Sequence, residues 1–323
     1  MLLEIEDITA LTFDDGSPVR SASAIAPFGD GWLVAQDDAI HAAWIRPGTI
    51  TALPVIDPVD GWETFSEAAG TKHLKPDFEA ACAMPGGEVL MLGSGSSPSR
   101  MRASLVTGST AERLPGSAAE RLPGHATGST AEKADASGFT VADLRPLYLA
   151  VATAFGLRED QLNLEGACLT GDRLHWFQRA NLAVGATTAS AEIEASALLA
   201  AMRGEINPDE IQILGVRRHD LGTTRGVALA VTDAVTLPDG RILVSVAAED
   251  TPNAVDDGPV IASGLALLGT DGEPPVFTEI PGAEKVEGLA IRETTPGGVR
   301  LLAVVDADDY EAPSRRLALH LRW

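Results

Sequence analysis

Short apolar runs, broken by Gly and Asp turns, recur along this chain. Five stretches align: "SASAIAPFGDGWLVAQDD" from Ser21, "DFEAACAMPGGEVLMLGSGS" from Asp77, "NLEGACLTGDRLHWFQRAN" from Asn163, "VTDAVTLPDGRILVSVAAED" from Val231 and "KVEGLAIRETTPGGVRLLAVVDADD" from Lys285. Each reads as polar residue, small residue, apolar strand, turn, then a second apolar strand with polar residues at its end. Alternating or continuous apolar runs between turn residues predict β-strands. The turns "PGG", "TGD" and "LPDG" suit tight hairpins, because Gly and Asp accept positive φ at little cost. Two segments depart from this rhythm. "PLYLAVATAFG" opens with Pro146, a favoured first helical residue, and "SALLAAMRG" follows Ala195; both predict short helices between strands or blades.

The polar–small pairs are Ser23-Ala24, Glu79-Ala80, Glu165-Gly166, Asp233-Ala234 and Glu287-Gly288. Their spacings are 56, 86, 68 and 54 residues. The longest interval holds a low-complexity insertion over 109–137, in which "TGSTAE" and "AERLPG" each occur twice. Removing about 30 residues of it restores a unit of about 55, as repeat architectures require. In the first unit the strands are "SASAIAP", "GWLVAQ", "AIHAAWI" and "TITALPVI". The fifth unit ends at its third strand, "RRLALHLRW", and "LLEIEDITAL" at the other end supplies the missing one. This predicts an all-β fold, a five-bladed β-propeller over residues 1–323, closed by its N-terminal strand. A six-bladed alternative would need a remnant blade in 186–230.

Composition narrows the partners. The chain has 323 residues, 45% hydrophobic and 22% charged, enough for a large core. Its formal net charge of −22 repels phosphate backbones and anionic lipid, so neither nucleic acid nor membrane is an expected partner. "MLLEIEDITA" carries acids where a signal peptide needs a basic region, and a cytoplasmic chain is expected. Cys82 and Cys168 share one repeat position, which reads as small core residues. There is no G-x-S-x-G elbow and no P-loop.

In a propeller the innermost strands line a central channel. The residues opening them, Ser23, Glu79, Glu165, Asp233 and Glu287, are expected to form a ring at one mouth. Repulsion within such a ring needs an offset. A divalent ion is one: oxygen-only ligands at Glu79, Glu165, Asp233 and Glu287 suit Ca²⁺ or Mg²⁺. Pairing with Lys75, Lys285, Arg179 or Arg225 is a second, and backbone amides are a third. The ends of the second strands return to the same mouth. They contribute Asp37 and Asp38, Ser94 and Ser96, Arg179 and Asn181, Glu249 and Asp250, and Asp306, Asp308 and Asp309. Asp37, Ser94, Arg179, Asn181, Glu249, Asp306 and Asp308 are the candidate substrate contacts. His73 and His219 are candidate bases on connecting loops. A repeated Pro-Ser-Arg, with Ser99-Arg100 and Ser314-Arg315, reads as a turn whose serine caps backbone groups.

"KPDFEA" with "LGSGSS", "LNLEGA", and "KVEGLA" with "VDADD" resemble uncharacterised bacterial propellers of the phytase-like and esterase-like group. The resemblance runs over most of the chain outside 109–137. It implies a carboxylate-lined channel with Ca²⁺ at Glu79, Glu165, Asp233 and Glu287. The chain departs from the phytase pattern in having five units and no dense basic cluster for phosphates. Two functions are expected from these features. One is a metal-assisted hydrolase of a small polar ester, lactone or phosphate, with Asp233 or His73 as base and no organic cofactor. The other is a non-catalytic ligand- or protein-binding propeller whose carboxylate ring is structural.

Overall fold

A computed structural model describes residues 1–108, 138–181, 185–249, 259–269, 273–282, 285–306 and 312–323. The 109–137 insertion, Asp250, Asp308 and Asp309 lie outside them. Strand β1 (Leu2–Ala10) belongs to the last blade. Blade 1 is β2 (Ala22–Phe28), β3 (Gly31–Gln36), β4 (His41–Arg46) and β5 (Thr49–Pro54). Blade 2 is β6 (Phe78–Ala83), β7 (Val89–Gly93), β8 (Arg102–Thr107) and β9 (Gly138–Asp143). Helix α1 (Arg145–Phe155) leads to blade 3: β10 (Leu164–Thr170), β11 (Arg173–Gln178), β12 (Ala189–Glu194) and, after helix α2 (Ala195–Met202), β13 (Ile213–Arg218). A short hairpin, β14 (Thr223–Thr224) with β15 (Val227–Ala228), precedes blade 4. Blade 4 is β16 (Ala230–Thr236), β17 (Ile242–Glu249), β18 (Val260–Leu267) and β19 (Val276–Glu279). Blade 5 is β20 (Val286–Thr295), β21 (Gly298–Val305) and β22 (Arg315–Arg322), completed by β1.

The expected five-bladed propeller is therefore observed, as is closure by the N-terminal strand. The region 186–230 holds the outer half of blade 3 and the small hairpin, not a sixth blade. Both predicted helices form. Helix α1 starts with Pro146 in its first turn and stops at Gly156, whose φ of +73° provides the left-handed cap.

The inner strands of each sheet are buried on both faces because the sheet packs between two others, while the outermost strands are largely half-buried or exposed. One apolar cluster fills each interface between neighbouring blades. Phe28, Leu33, Phe78 and Met91 join blades 1 and 2; Leu90, Leu92, Trp176 and Ile193 join blades 2 and 3 beneath both helices. Phe177 meets Val244 and Val246, Leu243 meets Leu301, and Ile25 meets Leu302 across the remaining three. Cys82 and Cys168 are free and buried in two of these clusters. Among the described residues no helix is long and apolar enough to cross a membrane.

Candidate functional site

Strands β2, β6, β10, β16 and β20 surround the axis. Each has a break in register near its start, between Ala22 and Ala24, Phe78 and Ala80, Leu164 and Ala167, Val231 and Asp233, and Val286 and Gly288. A bulge re-aims the residue it contains. The bulged positions are Ser23, Glu79, Glu165 with Gly166, Thr232, and Glu287. Thr232, not Asp233, is thus the ring member of blade 4. In the "TDA" of that blade the acid that matches the other units in charge, Asp233, lies one residue beyond the bulged position.

The hydroxyl members behave alike. Ser23 Oγ donates to Phe78 O at 2.5 Å, and Thr232 Oγ1 donates to Val286 O at 2.6 Å. Each acceptor directly precedes the next blade's glutamate. Asp233 takes the small-residue position instead, where side chains meet the next blade. The Gly166 Cα faces Asp233 so closely that a Cβ would lie 2.7 Å from Asp233 Cα. Asp233 Oδ2 accepts the Leu289 amide of blade 5 at 2.6 Å, and Oδ1 accepts the Ala234 amide at 2.8 Å. Burial pushes this carboxyl well up, while the amides of Leu289, Ala234 and Ala167 pull it down. Asp233 does not line the mouth cavity, so its expected roles as ion ligand and base lack the geometry. It clips three blades through backbone amides.

The mouth encloses a cavity of about 220 Å³. On the side of blades 1 and 2, Lys75 Nζ lies 2.5 Å from both Asp37 Oδ2 and Asp77 Oδ1, and Arg100 Nη1 lies 3.0 Å from Asp77 Oδ2. Ser94 donates to Asp77, and Arg100 donates to Ser96 Oγ at 2.8 Å. On the side of blades 3 to 5, Arg179 spans Glu165 (2.9 Å) and Glu249 (2.6 Å), and Lys285 spans Glu249 (3.1 Å) and Glu287 (2.7 Å). Asn163 Nδ2 donates to Glu165 Oε1 at 2.8 Å.

Backbone geometry fixes these groups. Asp77 has φ of +57°, its amide donates to Asp37 O, and its carbonyl accepts from Ser94 N. The Tyr148 hydroxyl of α1 lies 2.8 Å from Gly93 O and 3.1 Å from Arg102 O, anchoring the connection that carries Ser94, Ser96 and Arg100. The Pro-Ser-Arg turn of blade 5 works as a cap: Ser314 Oγ accepts the Ala22 amide at 3.1 Å.

Two carboxyl groups are left wholly or partly outside this pairing. Glu79 has no hydrogen bond or ion pair among the described residues, although it lines the cavity. Burial and the charges of Asp77 and Asp37 raise it well above the usual carboxylate range. Glu165 Oε2 is buried with no hydrogen-bond partner, and burial raises this carboxyl despite Arg179. Burial also pushes Glu287 up to about 7 against the pull of Lys285. Asp77 is the opposite case: burial disfavours its charge, but Lys75 and Arg100 outweigh that and hold it low.

The sequence-predicted residues divide accordingly. Asp37, Glu79, Glu165, Arg179, Glu287 and Asp306 line the cavity. Ser94 and Glu249 stand behind it, holding Asp77, Arg179 and Lys285. Asn181 closes a small loop by pairing its backbone with Ala186, and is not in the cavity wall. His73 is exposed on the turn Lys72–Leu74 and does not line the cavity either. His219 lies in a separate cleft of about 390 Å³ with Arg217 and Arg218, 2.8 Å from Ser190 Oγ; burial lowers it to about 4. Arg225 pairs with Glu279 at 2.6 Å, outside the mouth. Asp77, Arg100, Asn163, Lys72 and Ser21 also line the mouth and are not among the residues the sequence placed there.

The donor set does not fit a cation at the four expected carboxylates. Both oxygens of Asp233 are held by amides, and Glu287 is paired with Lys285. Among the described residues Asp37, Asp77 and Glu79 bring one carboxylate oxygen each within 4.8 Å of the others, but Lys75 already lies between the two aspartates.

Solved structures with a similar chain path include a hypothetical protein from Leishmania major (11% identity, TM-score 0.44, covering 99% of this chain and 91% of that one). A mannose phosphorylase from Leishmania mexicana (11%, 0.42, 98% and 88%) and a luciferin-regenerating enzyme (11%, 0.37, 94% and 78%) are others. No curated protein matches. Two family models match the sequence: a family of unknown function, DUF6929, over residues 18–116, and a second, DUF6910, over residues 114–310. The second covers more than half of the chain, which belongs to the family of unknown function DUF6910.

Proposed function

We propose that the channel mouth is an acid–base site that hydrolyses a small polar substrate. The observation that carries this reading is Glu79, an unpaired carboxyl facing the polar cavity of the mouth and favoured in its protonated form. A carboxyl so placed can give its proton to a leaving oxygen. Glu165 supplies the complementary group: its Oε2 has no partner, and a small rotation of the side chain toward the cavity it lines would let it take a proton from the attacking water. After the bond breaks, the proton gained by Glu165 and the one lost by Glu79 are restored through solvent. An ester, lactone or phosphate substrate is compatible with this scheme. Likeness to esterase-like propellers supports the hydrolytic direction; the fit of the carboxylates does not support routing it through Ca²⁺.

A second reading has its own observation. Lys75, Arg179 and Lys285 each tie one blade to its neighbour, as a purely structural ring would require.

The test is a screen of acetate esters, lactones and phosphate monoesters, each with Ca²⁺ and with chelator. Glu79→Gln should lower kcat by about 100-fold or more while the fold is kept. Turnover that appears only with Ca²⁺, or that survives Glu79→Gln, would overturn the acid–base scheme. Absence of turnover with a large loss of melting temperature in both Glu79→Gln and Glu165→Gln would favour the structural ring.

A further inference from the structure

The mouth offers acceptors, and most of its donors are already engaged. Among the described residues Arg100 Nε alone of its buried cationic donors has no partner, and Lys72 at its edge pairs with Glu67 on the surface. Lys75 bridges Asp37 and Asp77; Arg100 bridges Asp77 and Ser96; Arg179 bridges Glu165 and Glu249; Lys285 bridges Glu249 and Glu287. The neutral donors are engaged as well: Ser23 on Phe78 O, and Asn163 on Glu165 Oε1. Apart from Arg100 Nε and the exposed Lys72, an incoming anion would have to break one of these pairs before it found a partner. The unengaged groups are of the opposite kind. Glu165 is only 4% exposed, lines the cavity, and keeps a buried Oε2 without a partner. Glu79 faces the same space with no partner among the described residues.

We propose that the mouth selects ligands carrying a protonated amine, whose N–H groups are accepted by Glu165 Oε2 and Glu79. This rests on the mouth being a ligand site, but not on its performing hydrolysis. A buried carboxyl oxygen without a donor is costly, and an ammonium group satisfies it with a hydrogen bond that is charge-assisted by the ammonium itself, even where the carboxyl keeps its proton. Three N–H donors on one small head can serve both glutamates, which a single hydroxyl cannot. The cavity, about 220 Å³, has room for an aminoalkyl group. The chain's net charge of −22 attracts cations toward it over longer range.

Saturation-transfer NMR on the full chain at pH 7.5 tests this with matched pairs: ethanolamine against ethylene glycol, putrescine against 1,4-butanediol, and glucosamine against glucose. Inorganic phosphate and acetate serve as anionic probes. The amine of each pair should bind, its alcohol partner should not, and Glu165→Gln should weaken binding at least about tenfold. Should that variant fail to fold, Glu79→Gln and the salt dependence of amine binding give the same readout. Equal binding of amine and alcohol, preference for phosphate, or no amine binding would overturn the proposal. Amine binding without any hydrolysis would sink the acid–base scheme alone; turnover of uncharged esters with no amine preference would sink this inference alone.

Discussion

Removing the Asp233 side chain should loosen three blades at once. Asp233→Ala deletes the acceptor of the Leu289 amide on β20, bound at 2.6 Å, and of the Ala234 amide at 2.8 Å. The Ala167 amide on β10 also faces this carboxylate. Asp233 is 1% exposed, so water cannot readily replace the lost acceptor. A buried donor left unsatisfied costs about 1–3 kcal/mol. The two amides from neighbouring blades therefore suggest a gross loss of about 2–6 kcal/mol. Relief of the buried carboxylate, whose charge is disfavoured by desolvation, offsets part of that. A net loss of about 2–4 kcal/mol is expected, a large share of ordinary domain stability. Guanidinium unfolding followed by tryptophan fluorescence measures it as a lower midpoint at similar slope. A loss below about 0.5 kcal/mol would refute the clip and return Asp233 to the candidates for chemistry.

Two further outcomes follow from the same geometry. Gly166→Ala should cost about 2–4 kcal/mol in the same unfolding assay, because φ is +78° and the new Cβ would sit 2.7 Å from Asp233 Cα. For pH, the folded state keeps the Glu287 proton up to about 7, whereas an unfolded glutamate loses it near 4.5. The stabilisation is full below that lower value and is lost as pH rises to about 7, amounting to about 3 kcal/mol. Asp38, raised to about 6 by burial and Asp37, acts in the same direction. Melting temperature should fall between about pH 4.5 and pH 7, and Glu287→Gln should flatten that fall.

The propeller was legible because its signals are local and repeated. Turn glycines, short apolar runs and a unit of about 55 residues all point to blades, and "LLEIEDITAL" was the unmatched strand. The ring was legible to within one residue. Its error at Asp233 came from reading charge where register decides: a polar–small pair occurs at both Thr232-Asp233 and Asp233-Ala234 if aspartate counts as either member. The distance of 55 residues from Thr232 to Glu287, close to the 56 from Ser23 to Glu79, was available as a correction. Asp77 and Arg100 were harder. Asp77 enters the mouth through a positive φ, and Arg100 through a turn pinned by Tyr148 from a helix that the repeat does not contain. The loop of His73 does reach the mouth, through Lys72 and Lys75, but His73 itself is exposed and stands outside the cavity wall, and His219 sits on a loop that lines a separate cleft.

The bulges explain why one fold position can hold either a clip or a reactive group. A bulged residue is freed from strict strand alternation, so its side chain can turn along the sheet edge toward the axis. Where it is Ser23 or Thr232, the short hydroxyl reaches only the next blade's carbonyl and adds an inter-blade bond. Where it is Glu79, Glu165 or Glu287, the longer chain carries the carboxyl past that carbonyl into the mouth. Three carboxyls, two buried and one half-buried, would repel one another, and the cations on adjoining loops neutralise Glu165 and Glu287 directly. Glu79 is different because Lys75, the nearest lysine in sequence, is taken by Asp37 and Asp77. Its proton is thus held by competition among acids for one lysine. Replacing Asp77 would release Lys75 toward Glu79, ionise it, and remove the group on which acid catalysis depends.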